Sequence, residues 1–316
     1  MRMYRHRLGT VCALAALVVA LAMILRPSAA GAAAAPCDVD PERPAARAVA
    51  PAEVAADLSE PFKYGPAQVD RAAVLADVVA VVRSQAAEGS ADPCFLEKPT
   101  RIAGRVDFLS PFEFLVVTMF DQEPERRDAL LDQYATDPRG AIKGLGEAFP
   151  STRAQATMTA FAYYDVTSDR IRVNMARVPP DQIRRVLVHE FWHAMPRART
   201  WTEPDGRTLR ASGFWLQEQR QGRRVWIPVE DRRGLPYASY LLDEAMATLM
   251  ETKYAGPSPY ARADLLEVTG FLGRLMGVAG SDAVFRQYLE SRPYELGALT
   301  VAHHDSFPEL QVVARP

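Results

Sequence analysis

The segment VLVHEFWHAM, residues 186–195, constrains this chain more than any other stretch. His189, Glu190 and His193 form the pattern His-Glu-x-x-His. On a helix, positions i and i+4 lie on one face, so the two imidazoles can reach one ion. Glu190 then sits about 100° around the helix from His189. There it stands beside the ion, placed to take a proton from an activated water. Ile183, Val186, Leu187, Phe191 and Ala194 share a broad apolar side away from the histidines, so the helix must pack on a core. Its predicted span is 182–195, capped by Asp181 and stopped by Pro196.

Two histidines do not complete a catalytic metal site, which usually has three protein ligands and one open position. The longer pattern H-E-x-x-H-x-x-G-x-x-H fails, because Pro196 stands at the glycine and Arg199 at the third histidine. A carboxylate must come from elsewhere. The helix predicted over 239–254 offers Asp243, Glu244 and Glu251. Glu244 is the preferred ligand, because Ala245 and Ala247 beside it permit close helix approach. Glu251 lies on the same face about 10 Å along the axis, too far to share the ion. Asp243 and Glu251 read more simply as parts of a solvated helix face.

With His189, Glu190 and His193 on one helix, and Glu244 in LLDEAMAT on a later one, the chain resembles a zinc metallopeptidase of the gluzincin type. The stretch YYDVTSDRIRVN ahead of the motif is similar to the edge-strand region of that fold, and the likeness spans about residues 158–292. It implies an α+β, zincin-like domain: a mixed sheet packed on the His-Glu-x-x-His helix, with a helical C-terminal half. It also implies one Zn2+ on His189, His193 and Glu244, with Glu190 as general base. Substrate would lie antiparallel to an edge strand; residues 171–178 are the candidate strand, with Asn174 as a possible contact. An oxyanion donor is also needed, and Tyr254, Tyr260, His303 and His304 are the candidates.

The rest of the chain supplies context. Arg2, Arg5 and Arg7 precede an uncharged apolar run over 8–25 and the small-residue stretch SAAGAAAAP. That is the layout of a secretory signal peptide, so residues 1–35 are expected to be removed. An uncleaved anchor is the alternative, since the run approaches the length of a spanning helix. Without the four arginines of that segment, 33 basic residues face 39 acidic ones. A net charge of −6 offers no basic stripe for nucleic acid. Cys37 and Cys94 then remain as one expected disulfide. Residues 36–60 read as a Pro/Ala-rich lead-in, 61–157 as a mainly helical N-terminal region, 158–300 as the catalytic region and 301–316 as a tail.

Within those regions, helices are predicted over 67–87, 124–135, 139–148, 261–278 and 282–291, the last capped by Ser281. A short strand is predicted at 114–119. Thr167-Ser168-Asp169-Arg170 separates strand runs 159–166 and 171–178 as a hairpin. A second hairpin is predicted from 207–218 and 223–229 around Gln221-Gly222. The expected protein is an exported bacterial enzyme, secreted, periplasmic or at the cell surface. It would act as a monomer on a peptide or protein substrate, with any membrane contact made through the N-terminal segment alone. The competing expectation is a secreted zinc-binding module that has lost activity.

Overall fold

A computed structural model describes residues 69–120, 123–148, 160–196, 198–202, 208–212, 215–220, 223–228, 239–259 and 263–290, with Leu296 and Leu299. All of them belong to one compact unit. The architecture is mixed and mostly helical.

Helix α1 (Arg71–Gly89) starts at Asp70, whose side chain accepts from the Ala73 amide. Asp92 and Pro93 start α2 (Pro93–Ala103) in the same manner, with Pro at the first helical position. That helix was not anticipated from the sequence. Strand β1 (Val106–Leu109) follows.

The run expected as a strand at 114–119 is instead helix α3 (Pro111–Met119). Ser110 and Glu113 explain the difference. The Ser110 hydroxyl accepts from the Glu113 amide at 3.3 Å, and the Glu113 carboxylate accepts from the Ser110 amide at 2.8 Å. This reciprocal cap, with Pro111 in the first turn, outweighs the β preference of Phe114, Val116 and Val117. Helices α4 (Pro124–Thr136) and α5 (Pro138–Ala148) pack beside α3. Phe112, Val116, Phe120, Tyr134, Ala141 and Leu145 form a small core there, with Phe112 stacked on Tyr134 at 4.2 Å.

The expected hairpin forms from β2 (Ala162–Asp165) and β3 (Arg170–Asn174). The Asp165 carboxylate holds its turn, accepting from the amides of Thr167 and Ser168. The sheet order is β1-β3-β2, with β1 parallel and β2 antiparallel to β3. The N-terminal helical region therefore shares one sheet with the motif region. It also corrects one expectation: the strand over 171–178 is central, not an edge. Asn174 ends that strand, fully buried, with its amide nitrogen 3.4 Å from the Ala160 carbonyl. Its side chain therefore lies in the interior, on a central strand, rather than on an outer edge.

The sheet has two unlike faces. Val106, Phe108, Ala162, Tyr164, Ile171 and Val173 face the main core. The opposite face carries Asp107, Asp165, Arg170 and Arg172, all buried. Arg170 binds Asp107 through two nitrogens at 2.7 and 2.5 Å, and Arg172 also reaches Asp107. Burying these charges is tolerable because each is paired and hydrogen-bonded.

Helix α6 (Ile183–Ala194) lies in the main core. It begins after Gln182 without a side-chain cap; Asp181 accepts from the Gln182 side chain and does not cap. A second sheet, β4 (Ala198–Thr202), β5 (Thr208–Ser212), β6 (Trp215–Arg220) and β7 (Arg223–Pro228), is an antiparallel meander. The predicted 207–218 run is thus two strands; β6 and β7 pair as the expected second hairpin, with Gln221 and Gly222 outside the described residues. Three helices complete the chain: α7 (Ser239–Ala255), α8 (Ala263–Ala279) and α9 (Ser281–Leu289). Gly256, at φ 77, stops α7 in the left-handed conformation open to glycine. Gly280, at φ 83, precedes α9, so Ser281 is its first residue rather than its cap.

Cys94 is disulfide-bonded, with its partner outside the described residues, as is Cys37. The expected leader, lead-in and tail also lie outside them. Among the described residues, no helix is long and apolar enough to cross a membrane.

The cap on α3 yields a direct test. Ser110→Ala should lower unfolding stability by about 1 kcal/mol, read as a shift in the urea midpoint. No shift would mean that the capping box does not set the start of this helix.

Candidate metal centre

Helix α6 is buried on nearly every side. Ile183, Leu187, Val188, Phe191, Trp192 and Ala194 are core residues, and Glu190 and His193 are 7% and 9% exposed. Trp192 is fully buried; its indole N–H donates to the Gln85 carbonyl oxygen on α1 at 2.7 Å. Lys98 on α2 donates to the carbonyls of Met195 and Pro196, satisfying the end of the helix.

Helix α7 docks antiparallel along α6. Arg185, near the start of α6, donates to the carbonyls of Ala255, Gly256 and Pro257 at the end of α7. His193, near the end of α6, meets Asp243 near the start of α7. Ala245, Met246 and Ala247 are fully buried, consistent with the close approach expected of small residues beside Glu244.

This register brings together three groups expected to share an ion. The Nε2 atoms of His189 and His193 lie 3.1 Å apart. Glu244 places one carboxylate oxygen 3.4 Å from His189 Nε2 and the other 3.7 Å from His193 Nε2. Among the described residues, this is the one such group of metal-capable side chains, with ligand atoms all within 4.8 Å of one another.

The outer nitrogens decide what the inner ones can do. His189 Nδ1 lies 3.1 Å from the Glu251 carboxylate, and His193 Nδ1 lies 2.8 Å from that of Asp243. A carboxylate only accepts, so each Nδ1 carries the proton. In neutral rings both Nε2 lone pairs then face each other and Glu244. Four acceptors at such spacing repel unless a cation lies among them. Ligands about 2.0–2.1 Å from a tetrahedral zinc stand roughly 3.3 Å apart, close to the separations seen. The donor set therefore fits zinc. In the metal-free protein, protons fill this role. Burial opposes charge on His189, but hydrogen bonds to Glu244 and Glu251 overcome it and hold its pKa at about 10. His193 is likewise held at about 9, against burial, chiefly by the Asp243 charge. Glu244 is depressed to about 2, because the adjacent imidazoles outweigh its own desolvation.

Glu190 is not among the ligands. Its carboxylate accepts the backbone N–H of Tyr164 on β2. Burial raises its pKa, although the neighbouring histidines pull it down. The Glu244 side chain is 43% exposed, so the site opens on that side.

Sequence reasoning missed the supporting shell. Asp243 and Glu251 read as solvated helix face, yet both are buried behind the histidines. Arg185 completes this shell at one end through an ion pair with Glu251 at 3.0 Å. The two-turn spacing of Asp243 and Glu251 was visible, but not the antiparallel register that makes it meaningful. Of the oxyanion candidates, Tyr254 is exposed and ten residues past Glu244, about 15 Å along α7, which removes it from the ion's reach. Tyr260, His303 and His304 lie outside the described residues.

Comparison with family models, curated proteins and solved structures finds no match for this chain.

Two outcomes follow from this geometry. Glu244→Ala should abolish retention of zinc through dialysis. Glu251→Ala should weaken zinc binding about 10–100-fold without abolishing it, as loss of an outer partner does. Equal zinc content and affinity in both variants and the parent would remove α7 from the site. Metal loading should also release protons. Histidines with pKa values near 9 and 10 are charged at pH 7, whereas ligation requires the neutral ring. Affinity should therefore rise with pH through the neutral range and level off above about 9–10. Calorimetry in buffers of different ionisation enthalpy reads the proton count directly.

Proposed function

We propose that this protein is an exported zinc-dependent peptidase of zincin-like fold that hydrolyses peptide bonds. The observation that carries the reading is the paired arrangement of imidazoles. Each Nδ1 is committed to a carboxylate, and both Nε2 atoms converge with Glu244 on one point beside a buried Glu190.

His189, His193 and Glu244 would hold the metal. When bound, zinc supplies Lewis acidity, polarising the scissile carbonyl and making water more acidic. Glu190 performs the proton transfers. It takes a proton from the attacking water and delivers it to the leaving nitrogen as the carbon–nitrogen bond breaks. Its raised pKa suits a group that must hold that proton between two transfers. The Tyr164 amide keeps the carboxylate oriented and ties it to β2.

That tie also suggests where the substrate lies. β2 is the end strand in the β1-β3-β2 order, and it packs against α6 beside the candidate centre. An extended peptide running along its outer side would pass Glu190 and the metal ligands together. Export rests on the signal-like N-terminus and on the disulfide at Cys94.

The test uses the purified exported protein, its zinc content and a peptide library. About one zinc per chain with peptide cleavage is expected; zinc without cleavage would favour the inactive binding module, and no zinc would end the reading. Glu190→Gln should keep its zinc and lose roughly 10²–10⁴-fold in turnover. Undiminished turnover in that variant would exclude Glu190 as the base.

A further inference from the structure

Tyr288, on α9, belongs to no part of the chemistry above, yet it reaches both helices that form the centre. It is 1% exposed. Its hydroxyl has one proton and two acceptors within reach, the backbone carbonyl of Trp192 on α6 at 2.7 Å and Asp243 Oδ1 on α7 at 3.1 Å, so the proton is shared between them. The second oxygen of that same carboxylate, Oδ2, holds His193 Nδ1 at 2.8 Å. A single hydroxyl therefore spans the residue before a metal ligand and the carboxylate that orients that ligand. The Tyr288 ring also lies in the core, 6.4 Å between centroids from Trp192.

We propose that Tyr288 is a positioning residue that acts through Asp243 to fix the ring of His193 with Nε2 turned toward Glu244. The inference rests on the zinc reading above and extends it outward by one layer. A carboxylate has two usable oxygens and free rotation about its last bond. With His193 Nδ1 on one oxygen and, on the other, a hydroxyl that also reaches the main chain of α6, the carboxylate is held at both ends. His189 has the matching arrangement, with Glu251 held from behind by Arg185. Each histidine of the candidate centre is thus backed by a carboxylate, with the Tyr288 hydroxyl behind one and the Arg185 ion pair behind the other. Outer partners of this kind are worth about 10–100-fold in metal affinity.

A buried tyrosine can matter for packing alone, so the experiment must separate the two roles. The measurements are the zinc dissociation constant of the full chain, by competition with a chelator, and the melting temperature of the metal-free protein. Tyr288→Phe keeps the ring and removes only the hydroxyl. It should weaken zinc binding roughly tenfold. Asp243→Asn should weaken it by a similar or larger factor, and adding Tyr288→Phe to Asp243→Asn should cost little more, because both act on one path. Phe285→Leu, in the same core beside Trp192 at 5.6 Å, should lower the metal-free melting temperature and leave zinc affinity unchanged. Unchanged zinc affinity in Tyr288→Phe, or fully additive losses in the double variant, would overturn the positioning role and leave the zinc reading intact. A parent chain that binds no zinc would overturn the zinc reading itself, and this inference with it.

Discussion

Everything at the centre depends on where two protons sit. Each motif histidine donates its Nδ1–H to a buried carboxylate, which turns the two Nε2 atoms toward each other at 3.1 Å. That contact is unfavourable without a positive charge between the rings. The protein therefore gathers His189, His193 and Glu244 into a place that could hold a cation. Against burial, the carboxylates of Glu244, Glu251 and Asp243 raise the histidine pKa values, and the histidines in turn depress that of Glu244.

Holding such a group inside a protein requires rigid surroundings, since buried acceptors would otherwise rotate apart or draw in water. Rigidity comes from the elements around α6. Gln85 links α1 to both ligand helices, accepting from Trp192 and donating to the Met250 carbonyl at 2.7 Å each. Lys98 satisfies the carbonyl end of α6, and Arg185 that of α7. The apolar face of the three-stranded sheet closes the side next to β2, where Tyr164 meets Glu190. The charged face of that sheet turns the other way, toward α3, so its arginines do not compete for the carboxylates of the centre.

Local signals were enough for several elements. The Asp165-to-Arg170 turn, the stop at Pro196 and the break at Gly256 each act within a few residues, and each boundary lies close to its expected place. Short-range reasoning failed where two local preferences conflicted. At 111–119 a capping box overcame a β-prone run. At 171–178 the β-prone run indicated a strand, which stops at Asn174, but could not reveal a neighbour on each side, because β1 arrives from more than sixty residues away. Asn174 looked like a surface contact for the same reason.

The sequence by itself determined the inner group of the candidate centre. His189 and His193 share a helix face because 3.6 residues make a turn, Glu190 must fall beside them, and Glu244 was identifiable from its small neighbours. Only the tertiary structure decided the outer group. Asp243, Glu251, Arg185 and Tyr288 gain their roles from the antiparallel register of α7 on α6 and from the docking of α9. That register arises from the packing of buried side chains across helices far apart in the chain. No spacing within either helix encodes it.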